Sequence, residues 1–235
     1  MRINQYLARA AGLSRRQADQ AIADERVTVN GEAGELGQRV GPDDTVQLDG
    51  EPVVLPVTRT VKLHKPFRYV VSRARQGNDP TIYALLPEEL RQLKPIGRLD
   101  KDSRGLLLLT NDGQLAYRLT HPGFQKQKVY QVRLDKPLTP ADITNLHHGV
   151  HLDDGVSQLE IGEGEAERTK KADEGVPGKN TYQVTMYEGR NRQIRRTFAA
   201  LGYQVTDLVR TQLGEYSLGD LSDGQYRLIT GENES

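Results

Sequence analysis

The densest chemistry in the sequence lies between Gly97 and Gly113, where Gly-Arg-Leu-Asp-Lys-Asp-Ser-Arg-Gly runs into four leucines and then Thr-Asn-Asp-Gly. Asp100 stands between Arg98 and Arg104, with Lys101 and Asp102 beside it. A carboxylate held among guanidiniums stays ionised, because a nearby positive charge lowers an Asp pKa by about 1–3 units. That is the state a nucleophile or an electrostatic stabiliser needs. The residues alone also fit a solvated charged corner. A calcium loop is imitated by Asp100-x-Asp102-x-x-Gly105, but Arg104 puts a cation where a ligand is due and Asn111 stands where a bidentate Glu is expected. An Asp-x-Asp phosphotransferase should carry its motif after an apolar strand, and Lys94-Pro95-Ile96-Gly97-Arg98 is not one.

These groups need elements to hold them. Leu106–Leu109, bounded by Gly105 and by Asn111-Asp112-Gly113, reads as a buried strand that leaves Asp100 on the loop before it. Gln114–Thr120 reads as a helix with Leu115 and Leu119 inward. Alternation over Lys126–Val132 predicts a strand with Tyr130 and Val132 on one face. Thr139 caps a helix with Pro140 at its first position, ending near Gly149. His147, His148 and His151 gather there without a carboxylate at ligand spacing, so no metal is expected. Residues 162–180 read as a mobile surface loop. Thr181–Glu188 alternates as a strand. Asn191–Leu201 follows as a helix with the apolar stripe Ile194, Phe198 and Leu201, stopped by Gly202. Arg190, Arg192, Arg195 and Arg196 crowd its N-terminal end, where a cation opposes the helix dipole at about 0.3–1 kcal/mol each. That placement asks for phosphates or a buried carboxylate. Val61–His64, Val205–Val209, Gly214–Leu218 and Tyr226–Ile229 read as further strands.

Gly97-Arg98-Leu99-Asp100, then Ser103-x-Gly105-Leu106-Leu107 and Asn111-Asp112-Gly113, resembles the signature of the RsuA/RluB branch of ribosomal RNA pseudouridine synthases. The resemblance implies that Asp100 is the catalytic nucleophile. Lys65-Pro66 is similar to the family's first motif, although Phe67-Arg68 departs from the small residue usual two positions on. Lys128-x-Tyr130-x-Val132 resembles the strand whose aromatic stacks on the target base and is placed for the proton step at carbon 5. Gly189–Arg196 resembles the motif whose Arg, here Arg195, pairs with the catalytic Asp, and whose aliphatic residue, here Ile194, lines the base pocket with Arg98 and Leu99. Lys65, Arg104, Arg190, Arg192 and Arg196 are then expected to bind RNA. His121-Pro122, Lys128-x-Tyr130 and Glu188–Arg192 look closer to large-subunit (23S) members. Isomerisation adds no atoms, so no cofactor is implied.

Toward the N-terminus, residues 3–10 read as a short helix, and Ser14 caps a second over Arg15–Asp24. Val27–Gly31 is a strand and tight turn, and residues 34–50 give more short strands. Leu13-Ser14-Arg15-Arg16-x-Ala18 with Val27-x-Val29-Asn30-Gly31 resembles the alpha-L, S4-like RNA-binding domain, with Glu25 where that family usually has a helix-ending Gly. Arg2, Arg9, Arg15, Arg16 and Arg26 are its expected RNA contacts. The fold class expected is α+β: a small N-terminal α/β module at 1–53, a linker at 54–60, and a catalytic domain at 61–232 with a mixed, mainly antiparallel sheet flanked by helices.

The formal net charge is zero, yet residues 62–104 hold ten Lys or Arg against five acids, and 153–167 hold six acids without a Lys or Arg. Local patches therefore matter more than the sum. The acidic stretch is expected to lie away from RNA. The chain has no Cys, so thiolate chemistry and disulfides are excluded. No apolar run approaches the ~18 residues of a membrane span, and the N-terminus lacks a signal-peptide core. A cytoplasmic monomer acting on ribosomal RNA, without membrane contact, is the expectation.

Overall fold

Four leucines in succession cannot alternate between a wet and a dry face, so their strand must be covered on both sides. The computed structural model, which describes residues 1–74, 77–163 and 180–229, shows that arrangement. Leu106–Leu109 are fully buried. Leu107 and Leu109 pack with Val61, Leu63 and Phe198. Leu106 and Leu108 pack with Leu115, Leu119 and Leu213 in a separate cluster.

The chain divides into two compact units, Met1–Thr58 and Arg59–Ser235. The first contains α1 (Ile3–Ala10), α2 (Arg15–Ala23) and the short strands β1 (Val27–Val29), β2 (Glu32–Ala33), β3 (Val46–Leu48) and β4 (Glu51–Pro52), ordered β2-β1-β3-β4. Ser14 and Gln17 form a reciprocal capping box at the start of α2. Ile3, Leu7, Ala18, Ile22 and Val27 make its core. Glu25 sits at φ 56°, so a carboxylate-bearing residue fills the left-handed position that a glycine takes without strain.

The second unit contains β5 (Thr60–Lys65), β6 (Lys94–Pro95), β7 (Arg104–Thr110), α3 (Gly113–Thr120), β8 (Lys128–Leu134), α4 (Pro140–His148), β9 (Val150–Leu152), β10 (Gly155–Ser157), β11 (Glu160–Glu163), β12 (Thr181–Met186), α5 (Gln193–Ala200), β13 (Val205–Leu213), β14 (Tyr216–Ser217) and β15 (Tyr226–Ile229). The main sheet runs β11-β12-β8-β13-β7-β5-β15. Within this sheet, among the described residues, β13 and β7 pair in parallel and the other neighbouring strands are antiparallel. The two-residue strand β6 pairs with β7 where the sequence reading expects none. Of the surface loop expected over 162–180, residues 164–179 lie outside the described residues, while Gly162 and Glu163 close β11. No helix among the described residues is long and apolar enough to cross a membrane.

Candidate active site

The loop between β6 and β7 carries Asp100, and it is pinned from beneath. Lys65, the last residue of β5, is fully buried. Its ammonium donates to the carbonyls of Ser103 (2.6 Å), Pro66 (3.1 Å) and Lys101 (3.4 Å). Burial pushes its pKa down to about 8 against the pull of Asp100, Asp102 and Asp223. Above the loop, the Arg68 N–H donates to the Lys101 carbonyl at 2.9 Å. Arg68 takes φ 68°, the left-handed turn that a small residue would adopt more cheaply. Within the loop the Ser103 N–H returns to the Asp100 carbonyl.

The two loop carboxylates then part company. Asp102 accepts both terminal nitrogens of Arg192, each at 2.8 Å, and lies 3.6 Å from Nε of Arg195. The Arg192 hydrogen bonds hold its carboxyl below the usual range, with the Arg195 charge adding to the effect. Arg195 also donates to the main-chain carbonyls of Asp102 (2.6 Å) and Val205 (3.0 Å), tying loop, α5 and β13 together. Asp100 is half-buried and makes no ion pair among the described residues. Its charge is still felt by Lys65 and Arg192.

Asp100 faces a cleft of about 810 Å³. Arg98, Leu99, Tyr130, Ile194 and Arg195 line the same cleft, so all six residues expected at the catalytic and base-binding positions share one cavity. Leu99, Tyr130 and Ile194 are buried at its wall, while Arg98 is exposed. Ile194 is placed by the start of α5, where Arg192 turns the chain at φ 48°. Gln193, itself buried, bonds Ser157 and Glu188.

Residues 59–200 match the RNA pseudouridylate synthase family and residues 1–46 match the S4 domain. An RNA pseudouridine synthase of Aquifex aeolicus is 36% identical over 97% of this chain and 89% of its own. The ribosomal small subunit pseudouridine synthase A of Pasteurella multocida is 35% identical, covering 99% of this chain and 97% of that one. A crystal structure of a pseudouridylate synthase superposes with a TM-score of 0.65 at 30% identity, over 98% of this chain and 96% of the other. The chain belongs to the RNA pseudouridine synthase family. It is an enzyme of the class that isomerises uridine to pseudouridine in RNA.

Several expected contacts in this enzyme are redirected. Arg195 meets Asp102, not Asp100, because the loop turns its second carboxylate toward α5. Lys65 is no phosphate grip: its ammonium is enclosed by carbonyls. Arg104 turns to Asp207 (2.6 Å) and Asp223 (3.2 Å), and the Asp207 hydrogen bond raises its pKa. Arg192 is engaged by Asp102. Arg196 is held by Asp153 and Asp154, and Arg190 by Asp154 and Glu188. The acid at 153–154 is therefore not remote from the basic cluster, as the charge distribution suggested, but is its counter-charge. In the N-terminal unit Arg2, Arg15 and Arg16 are exposed, Arg9 bonds Thr58, and Arg26 is bidentate to Asp49.

The sequence reading missed Arg210. It lines the cleft, is only 3% exposed, and pairs across the ladder with Tyr130. An arginine inside the apolar run Leu208-Val209-Arg210 was the available signal. Gly105 opposite takes φ 104°, and a Cβ there would collide with the Arg210 main chain. Only glycine lets β7 and β13 approach at this point.

Proposed function

We propose that this enzyme isomerises a uridine in ribosomal RNA with Asp100 as the nucleophile. The observation that carries the reading is the division of labour on one loop. Asp102 takes up the arginines, and Asp100 is left as a rigidly mounted carboxylate facing the cleft. Isomerisation breaks the glycosidic bond at N1, turns the uracil over and rejoins it through carbon 5; carbon 5 then loses one proton and N1 gains one. Asp100 attacks the nucleoside, and the covalent bond it forms is broken again before pseudouridine is released. Tyr130 stacks on the base and takes part in the proton step, while Leu99 and Ile194 enclose the detached uracil. Arg195 acts as a positioning residue, through the loop rather than on substrate. The target base must leave its helix, at a cost of a few kcal/mol. Phosphate contacts from Arg98 and from Arg2, Arg15 and Arg16 of the S4-like unit offset that cost. We place the enzyme in the cytoplasm as a monomer.

His121-Pro122, Lys128-x-Tyr130 and Glu188–Arg192 support the large-subunit RNA as substrate. A second reading, the small-subunit RNA, is favoured by relatives in Pasteurella multocida and Vibrio parahaemolyticus named for that subunit, each 35% identical. The test is tritium release from transcribed ribosomal RNAs labelled at uridine carbon 5, each incubated separately with the protein. Release from one RNA identifies the subunit. Release from neither, with tight binding to both, would replace turnover by an assembly role on the same fold.

A further inference from the structure

The cleft contains a pair of cations that the isomerisation chemistry leaves unused. Lys128 and Tyr130 are two apart on β8 and so share a face, and Arg210 of β13 sits directly opposite Tyr130. All three line the cleft. The Arg210 Nε donates to the Leu106 carbonyl at 2.8 Å, but its Nη2 is buried without a hydrogen-bond partner. No carboxylate forms an ion pair with Arg210 or Lys128 among the described residues. Among the described residues the Lys128 ammonium donates to the Lys126 carbonyl alone, at 3.3 Å. Burial pushes its pKa down, and the Arg210 charge pushes it further. Glu188 opposes that shift from a distance, its own carboxylate being engaged by Arg190 and Gln193. Two like charges and an orphaned donor, withdrawn from water without an anion, make an unfavourable arrangement in the empty enzyme. An uracil carbonyl could satisfy the donor but would leave both charges. A phosphodiester accepts from the donor and brings a negative charge between the two cations.

We propose that Arg210 and Lys128 jointly bind one backbone phosphate of the substrate RNA, on the sheet floor of the cleft beside Tyr130. The assignment rests on reading the cleft as the site of uridine isomerisation. It adds an anchor that holds the flipped nucleotide by its backbone while the base is detached and turned.

The test is tritium release from carbon-5-labelled ribosomal RNA at several KCl concentrations, for wild type, Lys128→Gln, Arg210→Gln, the double variant and Arg210→Lys. One phosphate contact contributes about 0.7–0.9 to the slope of log affinity against log salt. Each Gln variant should raise KM about tenfold and flatten the slope of kcat/KM by that amount, with kcat within about twofold of wild type. The double variant should lose no more slope than either single one, because both cations serve one phosphate. Arg210→Lys should keep the wild-type slope. Lys128 is less deeply buried than Arg210, so its variant carries the test if Arg210→Gln does not fold. An unchanged slope in Lys128→Gln, slope losses that add in the double variant, or a fall in kcat at unchanged KM would overturn the assignment. If wild type itself releases no tritium, the functional reading fails, and filter binding of the same RNA still reads the slopes.

Discussion

At the N-terminal end of α5 every arginine meets an acid. Arg192 and Arg195 share Asp102, and Arg190 and Arg196 share Asp154. On the sheet floor of the same cleft, Arg210 and Lys128 have no carboxylate within ion-pair distance among the described residues. The first region is neutral before RNA arrives, and its arginines hold a loop and a helix start in place. The second is uncompensated, and its charge is available to a ligand. An arginine count along the chain would treat both regions alike. What separates them is whether the fold supplies the anion.

The contrast can be broken at its strongest point. Replacing Arg195 by Met removes the donors to the Asp102 and Val205 carbonyls, and the loop carrying Asp100 loosens. A shift of about 1 Å at a reacting group is worth about 100-fold. Single-turnover tritium release should slow by about that factor while RNA affinity stays near wild type. A large loss of affinity instead would mean that Arg195 touches RNA, and the neutral region would not be purely structural.

Lys65 sharpens the contrast from the other side, as a buried cation satisfied by carbonyls alone. Unfolded, it keeps its proton to about pH 10.5; folded, to about 8. The folded state therefore gives up that proton first, and stability rises with pH between those values. The burial cost is felt in full below pH 8. Measured by urea unfolding, the difference between wild type and Lys65→Met should shift by about 3 kcal/mol in favour of wild type across that window. A flat difference would mean that the ammonium is not desolvated.

The smallest effect is expected at the exposed rim. Arg196 pairs with Asp153 and Asp154 near the surface, and such pairs contribute about 0–1 kcal/mol. Arg196→Gln should leave both the melting temperature and the salt slope of RNA binding near wild type. A slope loss as large as that expected for Lys128→Gln would erase the distinction between the two regions.

Much of this was legible because short-range chemistry determines it. The leucine run announced a buried strand, Ser14 and Thr139 announced helix starts, and the motif residues Asp100, Tyr130, Ile194 and Arg195 all reached one cleft. What failed depended on contacts distant in sequence. Arg195 was assigned to Asp100 but meets Asp102, two residues on and of equal charge. The depth of Lys65 at the end of β5 was invisible, because Lys is ordinarily a surface residue. Asp153 and Asp154 were expected away from RNA, yet they reach Arg190 and Arg196 from more than thirty residues away. Arg210 was passed over because its one signal, a charge in an apolar run, does not say whether the residue faces a cleft.

Two carboxylates on one loop are expected to have separate jobs, and paired variants distinguish them. Single-turnover tritium release would be measured for Asp100→Asn and Asp102→Asn on the same ribosomal RNA, with binding followed in parallel. Asp100→Asn should bind normally and be slowed by about 10⁴-fold or more, as expected when a nucleophile is removed. Asp102→Asn should retain measurable turnover, slowed by about 100-fold. Release persisting in Asp100→Asn while Asp102→Asn is silent would contradict this division and move the chemistry to the other carboxylate.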